Sequence, residues 1–311
     1  MIIDRRELFL GLSGLLVLKT LKLPAGISPG DVGVAFSGTT AEKLSKSILL
    51  ATGGDPVEFF KSKLKPSDVV GLKLNCLAGP PLAPRKELVE ALAALLAAAG
   101  IPAEQVIVFE RSDRELLRAG FEIRKEGAGW RCFGTNGDYE GDVEESYSVG
   151  SCFSKILTRR VTKLINVGVL KDHDLAGVSV GLKNYYGVIH NPNKYHTNNC
   201  SPFAAHVAAH PHIRGKHILT VADAALLQYH GGPAYRPDKT IPFNAVAASA
   251  DIVACDAWGF NVIEKARKAK GMKSLAAEER TPHWLDTAVE IGLTKITPST
   301  IKVATDEHFP A

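Results

Sequence analysis

The chain is predicted to adopt an α/β fold: a mostly parallel sheet with helices on both faces, in one large domain with two lobes around a cleft. Three observations predict it. Short apolar runs such as Asp68–Asn75 (DVVGLKLN) and Gln105–Glu110 (QVIVFE) alternate with helical stretches. Those runs are almost continuously apolar, as strands covered on both faces are. Polar residues gather where the runs end: Lys73 and Asn75, Glu110 and Arg111, Lys171 and His173, Asp223, and Asp256. In open parallel sheets, ligands sit at the carboxyl ends of the strands.

The elements follow in order. Val32–Phe36 is a short strand, and Thr40–Ala51 a helix capped by Thr39 or Thr40. Asp68–Asn75 is a strand that leads into a proline loop. Arg85–Gly100 is an Ala- and Leu-rich helix, acidic early and stopped by Gly100. Gln105–Glu110 is a buried strand. Gly127–Gly150, rich in Gly, Asp and Glu, reads as an excursion or hairpin over the sheet. Lys163–Val169 resumes the core and runs into a loop expected to hold Lys171, Asp172, His173 and Asp174. Asn191–Pro202 is a long polar loop, and a helix follows through Ala209. His217–Ala224 is a strand ending in Asp223, and Gln228–Pro242 a loop. Phe243–Lys268 ends in a helix, Thr281 caps another, and Ile301–Ala304 is an edge strand.

With 311 residues and 45% hydrophobic content the chain can bury a sizeable core. The formal charge of +4 balances 37 basic against 33 acidic residues, and no basic run is interleaved with aromatics, which argues against nucleic acid as a partner. Five scattered cysteines without a Cys-x-x-Cys argue against an iron–sulfur cluster, a zinc knuckle or a disulfide scaffold; one or two disulfides stay open if the chain is exported. Export is the expectation. Residues 1–26 place Arg5 and Arg6 before an apolar run from Leu8 to Leu18, too short for a stable membrane span, and resemble a twin-arginine signal leading to the periplasm or another extracytoplasmic space. The alternative is an amphipathic helix packed on the body, or a short membrane anchor.

Chemistry concentrates between Leu164 and Gly187 (LINVGVLKDHDLAGVSVGLKNYYG). His173 is the candidate acid/base, since histidine titrates near neutrality without perturbation. Lys183, between glycine-rich backbone and Asn184, is either a desolvated nucleophile or an anion-binding ammonium. Lys171 joins these two as a catalytic candidate. Lys73 and Arg111 are placed to neutralise a carboxylate or phosphate, and Asn75, Asn184, Asp223 and Asp256 complete the expected cofactor-binding set. Asp223 and Asp256 could instead cap turns, bind a hard cation or orient His173. His190, His196 and Cys200 offer three metal donors in eleven residues, at a spacing that matches no standard motif. His206 and His210 share a helix face but lack the glutamate of a zincin helix, and read as surface histidines.

Four segments in order resemble the domain of unknown function 362 family: GLKLN at 71–75 with its proline loop, KLINVGVLKDH followed by GLKNYYG, VADAALLQYHGGP, and SADIVACDAWG. Some relatives carry a ferredoxin-like cluster domain, whose cysteines this chain lacks. A more distant similarity lies in HDLAGVSVGLK, from His173 to Lys183, which resembles the nickel-pincer lactate racemase family in its histidine, Ala-Gly, serine, glycine and lysine. That resemblance implies Lys183 as the attachment point of an organic cofactor, His173 as acid/base, and His196 or Cys200 as nickel ligand. The chain departs from that pattern in having no histidine before His173, so a second acid/base histidine upstream is missing. These readings together imply a cofactor- or metal-dependent enzyme acting on a small anionic hydroxy- or keto-compound. The competing expectation is a non-catalytic accessory protein that binds a ligand or metal in the same cleft.

Overall fold

A computed structural model describes residues 22–23 and 28–306. The segment expected to direct export, 1–26, lies almost wholly outside the described residues. Among those described, no helix is long and apolar enough to cross a membrane.

The strands are β1 (Val32–Ala35), β2 (Val70–Leu74), β3 (Val106–Glu110), β4 (Arg131–Gly134), β5 (Glu144–Ser146), β6 (Val149–Ser151), β7 (Lys163–His173), β8 (Gly177–Ser179), β9 (His217–Gln228), β10 (Thr240–Ser249) and β11 (Val303–Thr305). Nine of them form one sheet in the order β11-β1-β10-β9-β7-β2-β3-β4, with β8 paired to the end of β7; β5 and β6 make a separate hairpin. The run β9-β7-β2-β3-β4 is parallel throughout, while β10 and β8 enter antiparallel. The predicted class, a mostly parallel α/β sheet, is the one observed.

The helices are α1 (Thr40–Thr52), α2 (Pro56–Lys63), α3 (Lys86–Ala98), α4 (Asp113–Arg118), α5 (Phe203–Ala209), α6 (Pro211–Arg214), α7 (Ala254–Ala269) and α8 (Trp284–Glu290). Strand alternation divides the core into two layers. Val70, Leu72, Val106, Val108, Ile165 and Val167 face α1, α2 and α3, whose Leu44, Ile48, Phe60, Leu92 and Leu96 cover them. Ile107, Phe109, Leu164 and Leu170 point the other way, into a second layer that also holds Trp258 and Ile263 of α7 and Trp284 of α8. At α1 the cap is Thr39, whose side chain accepts from the Glu42 N–H while the Glu42 carboxylate accepts from the Thr39 N–H.

β9 runs on to Gln228 and β10 occupies Thr240–Ser249, part of which was expected as loop, and two further departures bear on the site. β7 does not stop at Val169: it runs to His173, because Lys171, Asp172 and His173 pair with Ser179, Val178 and Gly177 of β8. Their side chains are therefore held on sheet, and the connecting turn begins only at Asp174. The Gly127–Gly150 excursion contains β4, which adds to the sheet edge beside β3 through Ile107–Arg131 to Glu110–Gly134 register pairs. Only the β5–β6 portion is the expected hairpin.

Gly168 shows how tightly the strand passes under the segment that leads to the site. A Cβ there would stand 1.8 Å from the Val180 carbonyl oxygen, a backbone atom with no freedom to yield. Gly168→Ala is expected to cost about 3 kcal/mol by overpacking, read as a lowered denaturant midpoint; an unchanged midpoint would show that the two backbones are not in contact.

Candidate active site

The carboxyl ends of β2, β3 and β7 open onto a cavity of about 400 Å³. Asn75, Glu110, Arg111, Lys171, His173, Lys183, Asn184 and His196 line it, with Leu77 and Leu175 among its wall residues. The structure thus brings six of the expected catalytic and cofactor-binding residues, and one of the three expected metal donors, to one site. The others lie elsewhere.

Under the floor sits Lys73. Its ammonium is fully buried and donates to the Leu74 carbonyl at 2.6 Å, to Glu110 Oε1 at 3.1 Å and to Asn184 Oδ1 at 3.0 Å. Asn184 is fixed in turn: its Nδ2 donates to the Lys73 carbonyl and to Asn166 Oδ1, while Asn166 Nδ2 donates to the Gly181 carbonyl. Gly187 closes over this cluster, with only 2.7 Å between a hypothetical Cβ and Lys73 Nζ. Lys73 was expected to meet an anionic ligand. It is instead committed to Glu110 and does not line the cavity. Arg111 does line it, but its guanidinium is engaged by Glu115 Oε1 at 2.7 Å.

Two other cations have no such partner. Lys171 is 1% exposed and donates to Asn75 Oδ1 at 3.2 Å and, weakly, toward the Pro233 carbonyl. Lys183 is 7% exposed; its Nζ lies 2.9 Å from His196 Nε2 and 3.8 Å from the centre of the Tyr186 ring. Among the described residues neither ammonium is in an ion pair. Burial lowers both to about 8, with Glu110 opposing the shift at Lys171 and Cys200 opposing it at Lys183.

The two histidines differ in which nitrogen is free. His196 Nδ1 lies 3.1 Å from the Pro192 carbonyl, which can only accept, so Nδ1 carries the proton and Nε2 offers its lone pair to Lys183. His173 is the reverse. Its Nδ1 accepts from the N–H groups of Leu175 and Ala176, at 3.3 and 3.2 Å, so the neutral ring holds its proton on Nε2. The 3.1 Å approach of Asp174 Oδ1 to the same Nδ1 is then not an ion pair. Burial, then the nearby Lys183 ammonium, holds His173 down at about 2, so the imidazolium form is strongly disfavoured. The ring expected as an acid/base is therefore held neutral, with Nε2–H as a hydrogen-bond donor.

Asp256 and Asp223 do not line the cavity. Asp256, at the start of α7, accepts from the N–H groups of Val180, Gly181 and Leu182 at 2.8–3.1 Å and so fixes the backbone that presents Lys183. Burial pushes its carboxyl up to about 6 against those N–H groups. Asp223 binds the backbone and guanidinium of Arg85, tying β9 to the start of α3. These are the turn and capping roles open to both residues in the sequence.

His190, His196 and Cys200 do not converge as a ligand set. His190 is exposed with its ring edge on Tyr139. Cys200 is buried, interacts with Tyr186, and has its thiol pushed up by burial. All five cysteines are free. Among the described residues, one group of three or more metal-type donors lies within 4.8 Å: Glu144, His210 and His212. His210 and His206 are buried, a correction to their reading as surface histidines. His210 Nδ1 accepts from the His212 N–H, which leaves the proton on Nε2, the atom facing Glu144. Phe153 stacks on the same ring at 4.0 Å. A metal at Nε2 would put two hydrogens face to face at Nδ1, so these contacts describe a packed hydrogen-bonded cluster.

The sequence reading did not find Asn166, Glu115 or Tyr186 as parts of the site. Asn166 is a lone polar residue inside an apolar strand, and that was the available signal. Glu115 and Tyr186 carry no comparable mark.

Comparison with known proteins agrees with the family resemblance. The model of the family described as Domain of unknown function (DUF362) matches residues 70–261, and the chain belongs to that family. No curated protein matches. Among solved structures, the chain is similar to the lactate racemase apoprotein from Thermoanaerobacterium thermosaccharolyticum, at 14% identity and a TM-score of 0.47, over 78% of this chain and 59% of that one. A protein from Thermotoga maritima matches at 11% identity and a TM-score of 0.36, over 60% of this chain and 52% of that one. The chain thus covers less than two thirds of either structure.

The Asp256 bonds give a direct test. Asp256→Ala leaves three buried N–H groups without their acceptor and is expected to cost about 3 kcal/mol or more. A lower melting temperature should come with faster labelling of Lys183 by an amine-reactive reagent. Normal stability with unchanged labelling would remove Asp256 from the support of the site.

Proposed function

We propose that this protein is an enzyme acting on a small anionic hydroxy- or keto-compound bound in the cavity at the carboxyl ends of β2, β3 and β7. One observation carries the reading: two buried ammonium groups, Lys171 and Lys183, face one cavity without a carboxylate partner. A buried charge left unpaired is costly. A carboxylate ligand offsets that cost and accepts charge-assisted hydrogen bonds from both. His173 Nε2–H then serves as a neutral donor to the ligand's hydroxyl or carbonyl oxygen, polarising it without adding another positive charge.

The donor set also fits a cofactor held at Lys183. The Lys183 amine is nucleophilic once deprotonated, which its lowered basicity favours. His196 offers Nε2 while its Nδ1–H is held by a backbone carbonyl, the second-shell arrangement that orients a metal-ligating histidine. Lys183 would hold the organic group and His196 Nε2 a metal ion upon it. Such a group, when bound, supplies electron-accepting chemistry that side chains lack. The similarity of His173–Lys183 to the nickel-pincer racemases points the same way. Export of a folded, loaded protein is part of the same proposal.

Denatured intact mass of protein from its native host tests the attachment. Added mass mapping to Lys183 supports it, a bare polypeptide removes it, and the same spectrum reports whether residues 1–26 are cleaved. Anion binding is tested separately by calorimetry with lactate and pyruvate. Lys171→Met is expected to weaken binding roughly tenfold to a hundredfold, the worth of one charged hydrogen bond. Both lysines lose their protons as pH rises through about 8, so affinity should fall above pH 8 and level off below it. Affinity that is indifferent to both Lys171→Met and pH would overturn the reading.

A further inference from the structure

With His173 held as a donor, the cavity still needs a group that can take a proton. Glu110, at the end of β3, lines the cavity, as does Glu115, five residues on in α4, and the two carboxyl groups stand within hydrogen-bonding reach of each other. Two carboxylates cannot hydrogen-bond; one must carry a proton. Glu115 Oε2 is buried and accepts from no N–H or hydroxyl, which leaves that oxygen waiting for a carboxylic O–H. Glu115 Oε1 is taken by Arg111 and Glu110 Oε1 by Lys73, so each carboxyl keeps one cationic partner and the single proton lies between their other oxygens.

We propose that Glu110 and Glu115 form a carboxyl pair sharing one proton, and that Glu110 is the proton-transfer group of this cavity. The inference rests on the reading of the cavity as an anion site, and it supplies the acid/base that no upstream histidine provides. When Glu110 is ionised, it takes the proton from a bound ligand's hydroxyl. The ligand O–H bond breaks, a Glu110 O–H bond forms, and the electron pair stays on the ligand oxygen, where His173 Nε2–H and the Lys171 ammonium receive it. The return transfer reverses each change.

The surroundings suit that task. Lys73, Glu115 and the Arg111 N–H contact Glu110 directly, while Lys171, Cys76 and Tyr139 interact with it through space. Burial raises Glu110 to about 7, opposed by Lys73 and reinforced by Glu115. Burial works to raise Glu115 too, but its bonds to Glu110 and Arg111 outweigh it and hold that carboxyl below the usual range. A group balanced near neutrality both gives and takes a proton readily.

Infrared titration of the full chain tests this. A protonated-carboxyl band that fades as pH rises through about 7 should be absent in Glu110→Gln, which keeps only the Asp256 contribution that fades through about 6. In Glu115→Gln the fading should move to lower pH, because the charge that raises Glu110 is gone; this variant decides the matter should Glu110→Gln not fold. Lactate or pyruvate should shift the fading point. Absence of the band, its survival in Glu110→Gln, or indifference to a ligand that calorimetry shows to bind would each overturn the proposal. If neither acid binds, the anion-site reading falls, and the pair is judged by solvent exchange: a cavity-facing proton exchanges with D2O on mixing, and a sealed one over hours overturns its role.

Discussion

A fully buried ammonium, Lys73, holds this site in place. Water cannot reach it, so each of its protons needs a protein acceptor, and the acceptors come from three parts of the chain: the Leu74 carbonyl of β2, Glu110 at the end of β3, and Asn184 in the turn after β8. One group thereby joins two neighbouring strands to the segment carrying Lys183. In a medium of low dielectric, such bonds are strong when complete and costly when broken. The residues that meet the cavity inherit this rigidity: Asn184 cannot turn without releasing Asn166, and Asn166 cannot turn without releasing the Gly181 carbonyl. The same backbone is gripped from the other side by Asp256, so the approach to Lys183 is fixed at both edges.

Much of the fold was legible because burial on both faces leaves a plain trace: continuous β-branched strands, and helices with caps and glycine stops. The strands β1, β2 and β3 and the helices α1 and α3 lie within two residues of where the pattern places them. What failed to show was pairing. Lys171, Asp172 and His173 look like loop residues because they are charged, yet β8 gives their backbone a partner and makes them strand. Arg131–Gly134 sits in a Gly- and acid-rich stretch with no strand signature, and only the vacant edge of β3 recruits it. Local composition cannot report a partner that is distant in sequence.

The site divides in the same way. Polar residues at strand ends and in the glycine-rich run that carries Lys183 were visible, and the structure gathers Asn75, Arg111, Lys171, His173, Lys183 and Asn184 of that set around one cavity. Roles were not visible, because they depend on what each group already holds. Lys73 and Lys171 both end strands and both are buried, but Lys73 meets a carboxylate and Lys171 an amide oxygen. His173 and His196 are both cavity imidazoles, but backbone N–H groups occupy Nδ1 in one and a carbonyl occupies it in the other. A donor or acceptor on the far side of the ring decides which histidine gives a hydrogen bond and which offers a lone pair.

These bonds give the cavity an ordering of proton affinities that residue types alone would invert. The histidine, ordinarily the group that titrates near neutrality, is buried among cations and stays neutral. The glutamate, ordinarily ionised, is buried beside a second carboxyl and is driven up to the neutral range. The two lysines come down toward it from above. A bound anion would act on all of these at once. Its charge would return protons to Lys171 and Lys183 and make His173 less reluctant to be charged, while opposing ionisation of Glu110. Proton content and ligand occupancy are therefore linked, and by thermodynamic reciprocity whatever protonates the lysines also strengthens the anion's hold.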